Sequence, residues 1–265
     1  MRIAVCLKQV PDGEARLRIA RDGKWLDEED LPFIINESDE YALEEALGLV
    51  ERSGGGEVVA FSLGPARVRE ALRKALAVGA ARAVHLVDPA FLGGDALATG
   101  RALAAAVARE PFDLVLTGSQ SDDFGFGATG SVVAGHLGWP HVWLVMGVEL
   151  EPGGKTVKVT REMESGINEI SRVALPAVLE IQAGINHPRY ASLKGIMQAK
   201  KKEIASPSPA ELGLDPGAIG AAGSRLETIA VSFPESGQGA KMIEGNAKAA
   251  AAALVEKLQT EARLL

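Results

Sequence analysis

Three observations predict an α/β protein with a doubly wound parallel sheet, a small antiparallel extension and a C-terminal arm. Short aliphatic runs alternate with stretches of helical length over residues 1–137, the pattern of strands buried on both faces and joined by crossover helices. After Pro140 this gives way to longer runs about a Pro152-Gly153-Gly154 turn, which predicts an antiparallel meander. From residue 203 Pro, Gly, Ser and Ala dominate, so that stretch is expected as an arm without a core of its own.

The elements follow in order. Arg2 to Leu7 forms the first strand and ends at turn residues Pro11-Asp12-Gly13. Asp22-Gly23, flanked by apolar pairs, favours a hairpin. Asn36 or Ser38 caps a helix whose early acids, Glu37, Asp39 and Glu40, suit the positive end of its dipole. It stops at Gly54-Gly55-Gly56. A strand Glu57–Ser62, a helix Ala66–Val78, a strand Ala83–Val87 and a helix Leu97–Arg109 come next. Strand Leu114–Leu116 then leads through Gly118 and a Gly-rich turn into a helix from Thr129 to Gly138. The meander comprises Trp143–Leu150, Lys155–Thr160 and Arg161–Ile170; Ala177–Ile181 is one more buried strand. A last helix is expected from about Lys241 to Arg263, with leucines at 254, 258 and 265. The chain thus divides into a doubly wound α/β domain (1–185), a loop and helix start (186–202), and an arm with its helix (203–265).

Composition narrows the function. With 265 residues and 47% hydrophobic content a large core forms, and a net charge of −7 argues against nucleic-acid binding. The single cysteine, Cys6, makes no internal disulfide and builds no zinc site. The four histidines lack metal-ligand spacing, so no metal is expected. The N-terminal apolar run is too short for a signal peptide, and no stretch suits membrane insertion. The expectation is a cytoplasmic protein.

In a doubly wound sheet ligands sit outside the carboxyl ends of the strands. That rim would carry Cys6 to Lys8, Ser62-Leu63-Gly64 and the segment Gly118 to Thr129, in which lie Asp123, Phe124, Gly125, Gly127 and Ala128. A strand, a Gly-rich turn and a helix start let backbone N–H groups approach a phosphate. Neither GxGxxG nor GxxxxGK[ST] occurs, so spacing alone leaves a phosphate loop and a plain surface loop both open. Convergence on one rim favours the first, a nucleotide site at the strand ends of the sheet.

The segment Pro188-Arg189-Tyr190-Ala191-Ser192-Leu193, with Ile196, Met197 and Lys200-Lys201-Lys202, resembles the signature of the electron transfer flavoprotein beta subunit. Further agreement lies in Lys8-Gln9-Val10-Pro11-Asp12, Asn36, Ser62-x-Gly64-Pro65, Arg73-x-Ala75, Asp113 to Gly118 and Arg161-Glu162, and so spans residues 1–205. The resemblance implies a heterodimer in which an alpha subunit holds most of the redox FAD and this chain holds a structural AMP. It carries AMP contacts onto Cys6, Asn36, Ser62 to Gly64 and 123–129, with Thr129 at the phosphate. Phe124, Gly127 and Ala128 depart from the polar side chains usual there, leaving backbone N–H groups to serve. A second FAD in place of AMP, as in a bifurcating branch, ranks second. Gly13 stands where some members carry a flavin-stacking tyrosine.

The resemblance also places Tyr190, Leu193, Ile196, Met197 and Lys200 to Lys202 at a docking site for acyl-CoA and related dehydrogenases, with a membrane quinone oxidoreductase as electron acceptor. Leu193 is the anchor; Pro188 and Gly195 favour an exposed turn over a core position. The three lysines are either steering charges or a solvated helix end. Glu162 and Glu164 lie in a sheet segment with no nucleophile beside them, so no catalytic residue is assigned and the chain is expected to be a carrier rather than an enzyme. A free-standing universal-stress-type module is the competing class, and it would lack the extension from 186.

Overall fold

The computed structural model describes residues 1–234, 239–240 and 242–264. The expected start of the last helix at Lys241, and the leucine at 265, lie outside them. The elements are β1 (Arg2–Cys6), β2 (Gln9–Pro11), β3 (Phe33–Ile35), α1 (Glu37–Arg52), β4 (Glu57–Leu63), α2 (Val68–Val78), β5 (Arg82–Leu86) and α3 (Ala96–Val107). They continue as β6 (Leu114–Gly118), α4 (Thr129–Leu137), β7 (His141–Leu150), β8 (Thr156–Glu162), β9 (Asn168–Ala174), β10 (Ala177–Ile181), α5 (Leu193–Ala199), β11 (Ile204–Ala205), α6 (Gly220–Gly223) and α7 (Ala247–Thr260).

One sheet of nine strands runs β11-β5-β4-β1-β6-β10-β7-β8-β9, parallel as far as β7 and antiparallel beyond it; β2 and β3 make a separate pair. Side chains alternate between two cores, as the pleat requires. In β1, Ile3 and Val5 join the core beneath α1 and α2, while Ala4 and Cys6 join the one beneath α3 and α4.

Five sequence expectations change. The antiparallel extension is continuous with the main sheet, because β7 pairs in parallel with β10 before it turns back along β8. A bulge marks that join: Val142 and Val145 face Leu179 and Ile181, and the intervening Leu144 takes a φ of 58°. The break expected between Thr160 and Arg161 falls at Glu164–Gly166, since Ser165 and Gly166 supply the left-handed turn. The start of the arm belongs to the domain: β11 pairs with β5, and buried Ile219 with Leu212 and Leu214 covers the α3–α4 core. Finally, Asn36 stands at the cap position of α1 without capping it. The last helix begins only at Ala247, where Asn246 accepts the Ala249 N–H at 3.0 Å.

Candidate functional site

The carboxyl ends of β1, β4, β6 and β10 lie side by side because their parallel registers are nearly level: Cys6 faces Phe61, Val5 faces Leu116 and Gly118 faces Ile181. The rim therefore gathers Cys6, Lys8, Ser62, Leu63, Gly64 and the loop that follows Gly118. Cys6 turns its side chain into the core, where burial pushes the thiol up to about 12. Ser62 donates its hydroxyl to Leu7 O at 2.6 Å, and His85 Nε2 lies 3.0 Å from Gly64 O, so the end of β4 is bonded to its neighbours.

Asp39, expected only as a dipole partner, organises this rim. Its carboxylate accepts the Lys8 N–H at 2.7 Å and the Gly118 N–H at 2.8 Å, joining β1 and β6 to the first turn of α1. Burial pushes its pKa up to about 7, against the pull of those two N–H groups. Gly118 permits the approach, since a Cβ there would lie 2.4 Å from Asp39 Oδ1. Asn36 completes the clamp: it donates to Gln120 O at 2.9 Å and accepts the Asp122 N–H at 2.8 Å. Its amide is thus committed to shaping the loop.

Lys8 reaches across that loop. Its ammonium pairs with Asp123 at 2.5 Å and stands 4.9 Å from the Phe124 ring. Phe124 stacks against Trp25 at 5.5 Å and Phe126 at 5.7 Å, which fastens the 19–26 hairpin to the Gly-rich loop. Gly125 and Gly127 take φ values of 64° and 57°, which glycine adopts without strain. The loop enters α4 at Thr129, and Ala128 gives its first turn no side-chain cap.

Beneath α4 lies Glu180 of β10, which is 1% exposed and which sequence reasoning missed. His141 Nε2 is 2.6 Å from its Oε1. Burial raises its pKa, opposed by His141 and the Ser131 N–H. Gly130 leaves it room, for a Cβ would come within 2.5 Å of Glu180 Cγ. One acid inside the apolar run Val178 to Ile181 was the only signal in the sequence.

The second site is the segment 186–202. Asn186 donates to Tyr41 O at 3.1 Å, and Arg189 forks onto two acids of α1, reaching Glu44 at 2.9 Å and Glu51 at 2.7 Å. The pairing raises the Arg189 pKa and holds the Glu51 carboxyl low. Ser192 caps α5 by accepting the Gly195 N–H at 3.0 Å. The pinned loop presents Tyr190 at 98% exposure, Leu193 at 83% and Met197 at 70%, with Ile196 less exposed at 45%. Lys200 and Lys201 face solvent. Lys202, expected beside them, turns inward and donates to Leu76 O at 2.9 Å and Ala80 O at 2.6 Å. Carbonyls at the end of α2 have claimed it, so it is no free steering charge.

Together these features define a class: an α/β protein with a Gly-rich loop on its strand-end rim and a short helix, α5, that holds large apolar side chains out at its surface. Residues 24–212 match the family model described as the electron transfer flavoprotein domain. The chain is 42% identical over 257 residues to the electron transfer flavoprotein subunit beta of Methylophilus methylotrophus, covering 97% of each chain. It is 39% identical to the subunit beta of Thermoanaerobacterium thermosaccharolyticum, covering 98% of each chain. To the human subunit beta it is 39% identical, over 88% of this chain and 89% of the human one. The chain belongs to the electron transfer flavoprotein family, on its beta-subunit side. Among the described residues no helix is long and apolar enough to cross a membrane.

Proposed function

We propose that this chain is the beta subunit of a cytoplasmic, heterodimeric electron transfer flavoprotein. It carries electrons from acyl-CoA and related dehydrogenases to a membrane quinone oxidoreductase. FAD, held mostly by the alpha subunit, supplies the redox chemistry; this chain supplies a wall, a nucleotide site and a docking surface, and converts no substrate itself. The observation that carries the reading is the exposure of Leu193, Tyr190 and Met197 on a segment pinned by Arg189 and Asn186. A large apolar side chain held rigidly in water is costly unless a partner covers it in turn.

The rim fits a structural AMP. After Gly125 and Gly127, the start of α4, which Ala128 leaves without an N-cap side chain, offers the Thr129 and Gly130 N–H groups to a phosphate, while the Ser131 N–H is turned to Glu180. Asn36 shapes that loop, and Lys8 with Asp123 and Phe124 forms its outer side. Cys6 and the turn Ser62-Leu63-Gly64 border the adenine end.

The test is to co-express the chain with its alpha companion, extract bound ligands, and follow FAD reduction by an acyl-CoA dehydrogenase. One FAD and one AMP per heterodimer, with Leu193→Ala slowing reduction while FAD content holds, is the expected result. Two FAD would replace AMP with the bifurcating arrangement. Wild-type reduction by Leu193→Ala would remove the docking role.

A further inference from the structure

Helices α2 and α5 hold each other by their carboxyl ends. Arg73 of α2 donates Nη1 to the carbonyls of Ala199 and Lys202, where α5 ends. Lys202 returns the contact, its Nζ donating to Leu76 O at 2.9 Å and Ala80 O at 2.6 Å, where α2 ends. Each cation thus meets the negative pole of the other helix and adds a charged donor to carbonyls at its end. Between the two contacts Gly195 lies against α2 so closely that a Cβ would fall 2.2 Å from Ala77 O. Ala199, on the same side, is buried, whereas Leu193 and Met197 are exposed. Burial lowers the Lys202 pKa, as suits an ammonium drawn out of water onto two carbonyls.

We propose that Arg73 and Lys202 are positioning residues for partner docking: their reciprocal clamp sets the orientation in which α5 presents Leu193 and Met197. This rests on the docking role given to α5 above. A helix as short as seven residues has little stability of its own, so its orientation comes from what it is fastened to. Neither cation touches the partner in this arrangement. Losing one leaves the anchor side chains in place and loosens the frame that aims them.

The test uses the intact heterodimer carrying Arg73→Met, Lys202→Met, Lys202→Arg or Leu193→Ala. Hydrogen exchange of the peptide covering 193–202 is measured, together with KM and kcat for reduction by an acyl-CoA dehydrogenase. The two Met variants should speed exchange there roughly tenfold, with exchange in β1 and β6 unchanged. They should raise KM severalfold at constant kcat, and Lys202→Arg should restore most of both. Unchanged exchange in both Met variants overturns the clamp, whatever the kinetics show. Faster exchange with wild-type KM overturns its part in docking. A wild-type KM for Leu193→Ala, by contrast, is a failure of the docking reading itself.

Discussion

Replacing Gly195 by alanine should destabilise the protein, although helix propensity alone predicts the opposite. In an open helix the exchange of Gly for Ala gains about 0.5–1 kcal/mol, since glycine loses the most backbone freedom on folding. Gly195 stands in the first turn of α5 without a left-handed φ, so alanine fits its backbone. The obstacle is α2. An added Cβ would lie 2.2 Å from Ala77 O and 3.3 Å from its carbonyl carbon. Ordinary carbon contacts begin near 3.5 Å, so α5 must lift by about 1 Å. The opposing atom is backbone, on a helix anchored by the buried Ala75 and Leu76, and cannot swing aside as a side chain would. Overpacking of this kind costs about 1–3 kcal/mol; against backbone that cannot yield the upper part of that range applies, so the net loss reaches up to about 2.5 kcal/mol. Gly135→Ala in α4 is the matched control, because nothing lies within 4 Å of its added Cβ. That variant should gain up to about 1 kcal/mol. Urea unfolding of both beside wild type, compared at equal m-values, reads the difference. A Gly195→Ala protein as stable as Gly135→Ala would refute the close seating of α5 on α2.

Other outcomes follow from the same contacts. The native Asp39 carboxyl holds its proton up to about pH 7, against an ordinary value of 3.8, so its contribution to stability is whole below pH 3.8 and is lost as pH rises through 7. Asp39→Asn does not titrate; the stability of wild type relative to it should therefore fall by on the order of 3 kcal/mol between pH 4 and 8, and a constant difference would contradict the burial argument. Arg189→Ala should cost about 1 kcal/mol at low salt, because both Glu51 and the guanidinium are partly solvated, and less in 1 M NaCl; equal loss at both salts would deny an electrostatic origin. Leu193→Ala should leave the unfolding midpoint within about 0.5 kcal/mol of wild type, since the side chain is 83% exposed; a core-sized loss would place Leu193 in the interior of the fold.

Much of the architecture was legible in the residue order. Alternating aliphatic and helical periods record nearest-neighbour physics, so they predicted the parallel sheet, its strand-end rim and the Gly-rich entry to α4. The exposure of Leu193 was equally local, signalled by Pro188 before it, although Gly195, expected in a turn, lies inside α5. Contacts between distant residues were not legible. Nothing near Lys202 tells that it meets carbonyls more than 120 residues away while Lys200 and Lys201 stay in water. Asp39 looked like any first-turn acid until β1 and β6 brought two N–H groups to it. Glu180 and His141 became a pair only when β7 lay parallel to β10. Local sequence determined which segments become strands, helices and turns, because those preferences act within a few residues. Only the tertiary structure decided which charges are spent inside and which stay in water, because that depends on which chain ends the sheet brings together.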